Sequence, residues 1–451
     1  MTTATAESTT RPHTAAAPSA KSRIGLVVFV AIACGLSLGL VLVVAVVAGG
    51  REHEITGAAL FALGLGFVLL AIGSTHFSNQ PQRWALPPGV ASVVVGLATW
   101  IFSPSEPVLA LAGWVWPGLL LVLVGWSFRG ARRSLHSWAR PALLYPALAV
   151  LLIAAVGGAF ETIARATSSN PPLGGRTYLV NGHRLYLNCV GEGAPTVVLF
   201  NGLGSRTPSW AWIQRTVSSS TRVCTFDRAG EGWSGGDVAG DARQLTSDVH
   251  GLLAAAHVPG PYVLAAHSVG GIYALLYAAR YPEHAAGLAL IDSSTPYQFD
   301  LPDYPGFYAI WRRGSALLPS LARAGLTRIT FGRLGSAGLP PQARRAARAF
   351  AASPREQRAN QADFAQLPRL FDEAKAVKSL GGKPLAVVTA TIANQRGWRA
   401  AQKRLAKLST NSVQRTVTGA THTTLLEDER FAAIASRAIT QVVQRARSGR
   451  R

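Results

Sequence analysis

The chain has 451 residues, 49% hydrophobic and 15% charged, and 44 Lys plus Arg against 22 Asp plus Glu give a formal net charge of +22. This is too long for one typical domain. Only six of the basic residues are Lys and no interleaving of aromatic and basic side chains marks a nucleic-acid surface, so a nucleic-acid partner is not expected; contact with anionic lipid or envelope polymer suits the charge better.

Residues 1–23 are rich in Ala, Thr and Ser and have too few large apolar side chains to fold alone, so a disordered cytoplasmic tail is expected. Five apolar runs follow within residues 24–160: Ile24 to Ala48, Ile55 to Gly73, Ala85 to Phe102, Pro107 to Phe128 and Pro141 to Phe160. Each is close to the roughly 20 residues that cross a hydrocarbon core, and none contains Asp, Glu, Lys or Arg, so five transmembrane helices are expected. A signal peptide would be shorter than the first run and would not be followed by four more. Pro87 and Pro88 threaten to shorten the third.

Basic residues are retained on the cytoplasmic side of membranes. They occur before the first run (Arg11, Lys21, Arg23), after the second (Arg83) and after the fourth (Arg129, Arg132, Arg133, Arg140), which puts the N-terminus in the cytoplasm and everything after Phe160 outside it. A bacterial plasma membrane is the expected location. The uncharged spans offer no ion or proton path, so they suit anchoring better than transport.

After a linker at 161–177, residues 178–451 alternate strand-like and helix-like segments. TYLV and HRLYLNCV flank Asn181-Gly182, a two-residue hairpin signal. TVVLF, RVCTF, YVLAA, GLALI and PLAVVTA are short buried-strand runs, SVQRTVTG is a further strand, and helices are expected at about Leu245 to His257, Gly270 to Tyr281, Arg396 to Leu408 and from Glu427. Repeated β-α units after an antiparallel pair imply an α/β fold, a mostly parallel sheet with helices on both faces.

Two stretches fit the serine-hydrolase pattern GxSxG, GLSLG around Ser37 and GWSGG around Ser234, and a third, AHSVG around Ser268, misses it by one alanine. A strained nucleophile elbow needs a strand running in, a helix running out and small neighbours. Ser268 has YVLAA before it, GGIYALLYAARY after it, and Ala266, Gly270 and Gly271 beside it. Ser37 lies mid-span, and Ser234 lies in a Gly-rich loop eight residues beyond its strand.

With FNGLGS (Phe200 to Ser205) and FDRAGEGWS (Phe226 to Ser234), the stretch from Tyr178 to Val443 resembles the α/β-hydrolase superfamily, departing from it at Asn201, where histidine is common. The resemblance implies a Ser, acid, His order. Its base is His422, in the loop after the last strand. Its usual acid position is empty, because no Asp or Glu occurs between Ala374 and Leu426. Asp292, at the end of GLALI, is the candidate acid, with Asp300 and Asp303 as fallbacks; Asp227 suits the FDRAG turn instead. The oxyanion donors implied are the backbone amides of Leu203 and Val269. His267 is expected to point away from the nucleophile, and His250 and His257 to be ordinary helix residues.

Residues 297–380 break the β-α rhythm and read as a helical cap. There Phe307, Tyr308, Trp311, Leu317 and Leu318 would either line an acyl or alkyl pocket or pack the cap, and a basic amphipathic stretch surrounds Arg344, Arg345 and Arg348. In such a fold Cys189 and Cys224 fall on neighbouring strands, and an extracytoplasmic site permits a disulfide. No CxxC or HExxH occurs, so no metal is expected, nor any other cofactor.

Ser268 in place of an aspartate nucleophile argues against dehalogenase or epoxide hydrolase chemistry. The expected function is a membrane-anchored serine hydrolase, most simply a carboxylic-ester hydrolase, cleaving a small-molecule or lipid-like ester, thioester or amide through an acyl-enzyme. The alternative is a non-catalytic membrane protein that binds a ligand or senses the envelope with a hydrolase fold.

Overall fold

The computed structural model describes residues 21–167, 170–238, 240–334, 336–392 and 395–449; most of the expected N-terminal tail lies outside them. The chain forms two compact units, one of Met1–Leu42, Gly57–Ile101 and Leu119–Ile153, the other of Val43–Thr56, Phe102–Gly118 and Ala154–Arg451.

The first unit is built from helices that are apolar on nearly every side. They are α1 (Lys21–Val41), α3 (Leu86–Phe102) and the greater parts of α2 (Glu52–Phe77) and α5 (Trp116–Ser134), with the first part of α6 (Tyr145–Thr167); α4 (Glu106–Ala112) belongs to the second unit. Four helical stretches are long and apolar enough to cross a membrane, and α4 with α5, bent by 46°, makes a fifth if the pair is one span. Large side chains such as Leu36, Val94 and Val122 are exposed, the inverse of a water-soluble bundle. Close packing inside uses glycine: a Cβ on Gly35 of α1 would stand 3.2 Å from Ala62 O and from Gly66 Cα of α2. Pro87 and Pro88 fall in the first turn of α3, where proline removes no helical hydrogen bond.

The second unit contains an eight-stranded sheet, β1 (Arg176–Val180), β2 (His183–Val190), β3 (Val197–Phe200), β4 (Val223–Phe226), β5 (Tyr262–His267), β6 (Ala285–Ile291), β7 (Leu385–Ala390) and β8 (Ser412–Val417), in the order β1-β2-β4-β3-β5-β6-β7-β8. β1-β2 and β2-β4 pair antiparallel and the rest parallel. Asn181 and Gly182 turn the hairpin with φ of 48° and 83°, the left-handed pair that a two-residue turn requires. Cys189 and Cys224 face each other in the β2-β4 register and form a disulfide in the structure.

Helices α7 (Ala211–Val217), α8 (Ala242–Ala255) and α9 (Gly270–Arg280) follow β3, β4 and β5. α8 starts three residues earlier than expected because the Asp241 carboxylate caps it, accepting from Gln244 N. The cap comprises α10 (Tyr304–Arg323), α11 (Leu326–Leu334), α12 (Pro341–Ala352) and α13 (Pro354–Ala374), after which come α14 (Trp398–Ala406), α15 (Thr424–Glu427) and α16 (Glu429–Ser448). Apolar side chains of both sheet faces are buried: Phe200, Leu264 and Leu290 pack with α8 and α9 on one, Val263, Ile291 and Val388 with α16 on the other.

Helix α6 runs on to Thr167, into the stretch expected as a linker, because Glu161 is fixed there. Arg328 of the cap donates to both its oxygens, at 2.6 and 2.9 Å.

Candidate active site

β5 delivers Ser268 at its C-terminal end, where the backbone must reverse into α9. Ser268 adopts φ of 56°, a left-handed conformation that costs a non-glycine residue about 1–3 kcal/mol and persists only where its surroundings enforce it. The enforcing contacts are close. A Cβ on Gly270 would lie 2.3 Å from Phe200 O, one on Gly271 2.5 Å from Ser293 Cβ, and one on Gly202 2.9 Å from Ser268 Cβ. The Ser268 carbonyl accepts from Ser294 N at 2.8 Å, and Ser293 Oγ donates to Ala266 O at 2.9 Å, binding the elbow to the loop after β6.

That loop carries Asp292, also left-handed with φ of 41°. Its carboxylate is buried and fully engaged. Oδ2 lies 2.7 Å from His422 Nδ1, while Oδ1 accepts from Ala390 N at 3.0 Å and from Trp398 Nε1 at 2.9 Å. Burial alone would raise the Asp292 pKa, but the hydrogen bond and charge of His422, with the Trp398 and Ala390 donors, hold it below the ordinary carboxylate value. Asp292 is therefore an anion that fixes Nδ1 of His422 as the protonated nitrogen and leaves Nε2 as the basic one.

His422 lies in the loop between β8 and α15, its side chain about 43% exposed. His267, expected to point away from the nucleophile, is buried and packs against His422. Its Nε2 donates to His422 O at 2.9 Å and its ring lies 4.3 Å from the His422 ring. Burial, then the neighbouring His422, push the His267 pKa down to about 3, so the supporting ring is neutral.

Leu203 sits in the loop after β3 that packs on Ser268 through Gly202, and Val269 follows the serine. Among the described residues neither amide donates to another protein group. The Asn201 side chain braces this loop, accepting from Trp210 Nε1 at 2.8 Å and donating to Phe226 O at 2.7 Å.

The remaining candidates have structural work. Asp227 accepts from Thr207 N and Trp233 N, Ser234 Oγ donates to Asp227 O and accepts from Tyr186 N, and Asp303 pairs with Arg396 at the surface. Ser37 is exposed on α1. His250 stacks on Tyr281 with 4.1 Å between rings, and His257, expected on the helix, lies in the turn beyond α8 with a left-handed φ of 52°. In the cap, Tyr308 is buried and its hydroxyl donates to Phe364 O, whereas Phe307, Trp311 and Leu317 are exposed.

Residues 197–435, more than half of the chain, match the model of the alpha/beta hydrolase family. The chain belongs to that family. Among curated relatives, it is 28% identical to the uncharacterized protein YbdG of Bacillus subtilis over 148 residues, 32% of this chain and 45% of that one. It is 30% identical to a cis-3-alkyl-4-alkyloxetan-2-one decarboxylase of Shewanella oneidensis over 149 residues, 31% of this chain and 44% of that one. The chain thus spans less than half the length of these relatives. Among solved structures, the enol-lactonase of Burkholderia xenovorans LB400 aligns with a TM-score of 0.44 at 23% identity, covering 59% of this chain and 99% of its own.

Two features of the site carried no sequence signal that was used. Trp398, 106 residues from Asp292, is the carboxylate's indole donor. A buried ionic cluster joins the loop after β3 to the cap: Arg206 binds Glu356 at 2.6 Å and Glu231 at 3.5 Å, and Arg228 binds Glu231 at 2.7 Å and Asp363 at 2.5 Å.

Proposed function

We propose that this protein is a membrane-anchored serine hydrolase that cleaves an ester, thioester or amide bearing a hydrophobic acyl or alkyl group. The observation that carries the reading is the 2.7 Å contact of His422 Nδ1 with buried Asp292, beside a left-handed Ser268. His422 Nε2 takes the Ser268 Oγ proton as Oγ attacks the carbonyl carbon. The oxyanion is met by the amides of Leu203 and Val269. His422 returns the proton to the departing alcohol, thiol or amine, and water then attacks the acyl-serine by the same route in reverse.

The five apolar segments anchor the chain, with the N-terminus in the cytoplasm and the hydrolase unit outside it, as the distribution of Arg and Lys favours. No cofactor takes part in this scheme.

Fluorophosphonate labelling of membranes tests it. Wild type and Ser37→Ala are expected to label, and Ser268→Ala and His422→Ala to remain blank while melting like the wild type. Labelling that survives in Ser268→Ala would place the nucleophile elsewhere, and a folded wild type that never labels would favour a binding role for the same fold.

A further inference from the structure

Three carboxylates bracket the apolar segments on one side: Glu52 begins α2, Glu106 begins α4, and Glu161 follows the apolar stretch of α6. All three belong to the hydrolase unit, and all three are held by the cap. Arg323 binds Glu52 and, at 2.6 Å, Glu106; Arg328 binds Glu161; Arg358 lies 3.5 Å from Glu52 and donates to Pro104 O at 3.1 Å. Ser320 Oγ and Thr56 Oγ1 lie 2.7 Å apart, Gln361 donates to Gly50 O, and the Arg312 stem covers Gly49, where an added Cβ would meet it at 3.0 Å. Residues at the end of a membrane span stand at the membrane-water boundary. The part of α10 from Arg312 to Arg323 is therefore at that boundary too.

α10 is amphipathic. Its inner face, with Tyr304, Tyr308, Ser315 and Pro319, is buried. On its other face Phe307, Ile310, Trp311, Leu317 and Leu321 recur at helical spacing, all exposed, Ile310 by 73%, and Ile329 of α11 adds to them at 60%. Exposed Arg313 adjoins them. So extended an apolar face is unusual against water. A large apolar face with Trp and Arg near it is what a helix lying in the lipid interface presents.

We propose that this face of α10 and α11 inserts into the leaflet of the very bilayer that the chain's apolar helices cross, making the cap an interfacial membrane element. The inference rests on the membrane-spanning reading above. Its occupant is lipid rather than a second copy because the cap's own ion pairs hold it at the span ends. A substrate dissolved in that leaflet reaches the cap without entering water.

The test is depth measurement by spin labelling of the full chain in phosphatidylcholine proteoliposomes. Cys34, the free thiol on α1, reports the span; Ile310→Cys and Arg430→Cys, each with Cys34→Ala, report the cap and a water-facing control. The Ile310 label is expected to show a several-fold higher ratio of oxygen to nickel-chelate collisions than the Arg430 label. An Ile310 label as wet as Arg430 overturns the cap inference if the Cys34 label is lipid-buried, and the anchoring itself if Cys34 is wet too. Protection at Ile310 that vanishes on dilution of protein in lipid also overturns it, in favour of self-association.

Discussion

The indole of Trp398 and the imidazole of His422 grip opposite oxygens of one buried carboxylate, Asp292, with Trp398 Nε1 2.9 Å from Oδ1 and His422 Nδ1 2.7 Å from Oδ2. Both oxygens are satisfied, so the Asp292 carboxylate is held in a single orientation against the His422 ring.

Trp398→Phe keeps the ring and removes the donor. A hydrogen bond to a charged group is worth about 1.5–3 kcal/mol, so turnover of a test ester should fall by roughly 10- to 100-fold, with KM little changed. The lost donor also lets the Asp292 pKa rise toward its ordinary value. Asp292→Asn removes the charge itself and should cost about 10⁴-fold in kcat. Steady-state kinetics of the two variants beside the wild type checks the ranking; a Trp398→Phe variant with wild-type kcat would show that Ala390 N and His422 position Asp292 without the indole.

Stability should depend on pH through His267. Its folded pKa, about 3, lies below the ordinary imidazole value of about 6.5, so between these pH values the unfolded chain binds a proton that the folded chain refuses. Acidification through that window lowers stability, by at most about 1.4 kcal/mol per pH unit from this group. Asp292, depressed instead, contributes stability that is complete above its ordinary pKa of 3.8 and is lost only on further acidification. His267→Gln should therefore flatten the unfolding midpoint between about pH 6.5 and pH 4; parallel profiles for the two proteins would remove His267 as the cause.

Arg206→Met takes the 2.6 Å cation from buried Glu356 and leaves Glu231 to Arg228 alone, and burial already pushes the Glu231 pKa up. Breaking one partner of a buried pair costs about 3–5 kcal/mol. Arg396→Met, at the exposed pair with Asp303, should be close to neutral. Denaturant unfolding of both variants measures the contrast, and equal losses would refute the assignment of the cluster as a buried support.

Cys189 and Cys224 are expected to be oxidised in the mature protein. A bridge across 35 residues should contribute about 3–4 kcal/mol on the chain-entropy estimate. Peptide mass analysis without reductant should yield one linked pair and leave Cys34 as the only alkylated cysteine; two further alkylated thiols would refute the bridge.

The strand-helix alternation after Tyr178 was legible because parallel strands are continuous apolar runs, and Ser268 was legible because an elbow needs small neighbours that GxSxG alone does not specify. Asp292 emerged from the absence of any acid between Ala374 and Leu426. Trp398 did not emerge, since an indole on a helix reads as core until its partner's position is known. The partner of His267 was not legible, because alternation along a strand tells which face a side chain takes, not that a loop 155 residues away will bring a carbonyl to it. A separation of 150 residues likewise hides the pairing of Arg206 with Glu356, whose charges look like ordinary surface in sequence.

The carboxylates Glu52, Glu106 and Glu161 precede Arg323, Arg328 and Arg358 in the chain, so their cap partners reach them only late in synthesis. Cutting the gene before Asn170 to obtain a fragment with its whole sheet would delete all three acids and take their carboxylates from the arginines of α10, α11 and α13. Such a fragment keeps Ser268 and the central strands, yet its cap is released from the posts to which it is tied.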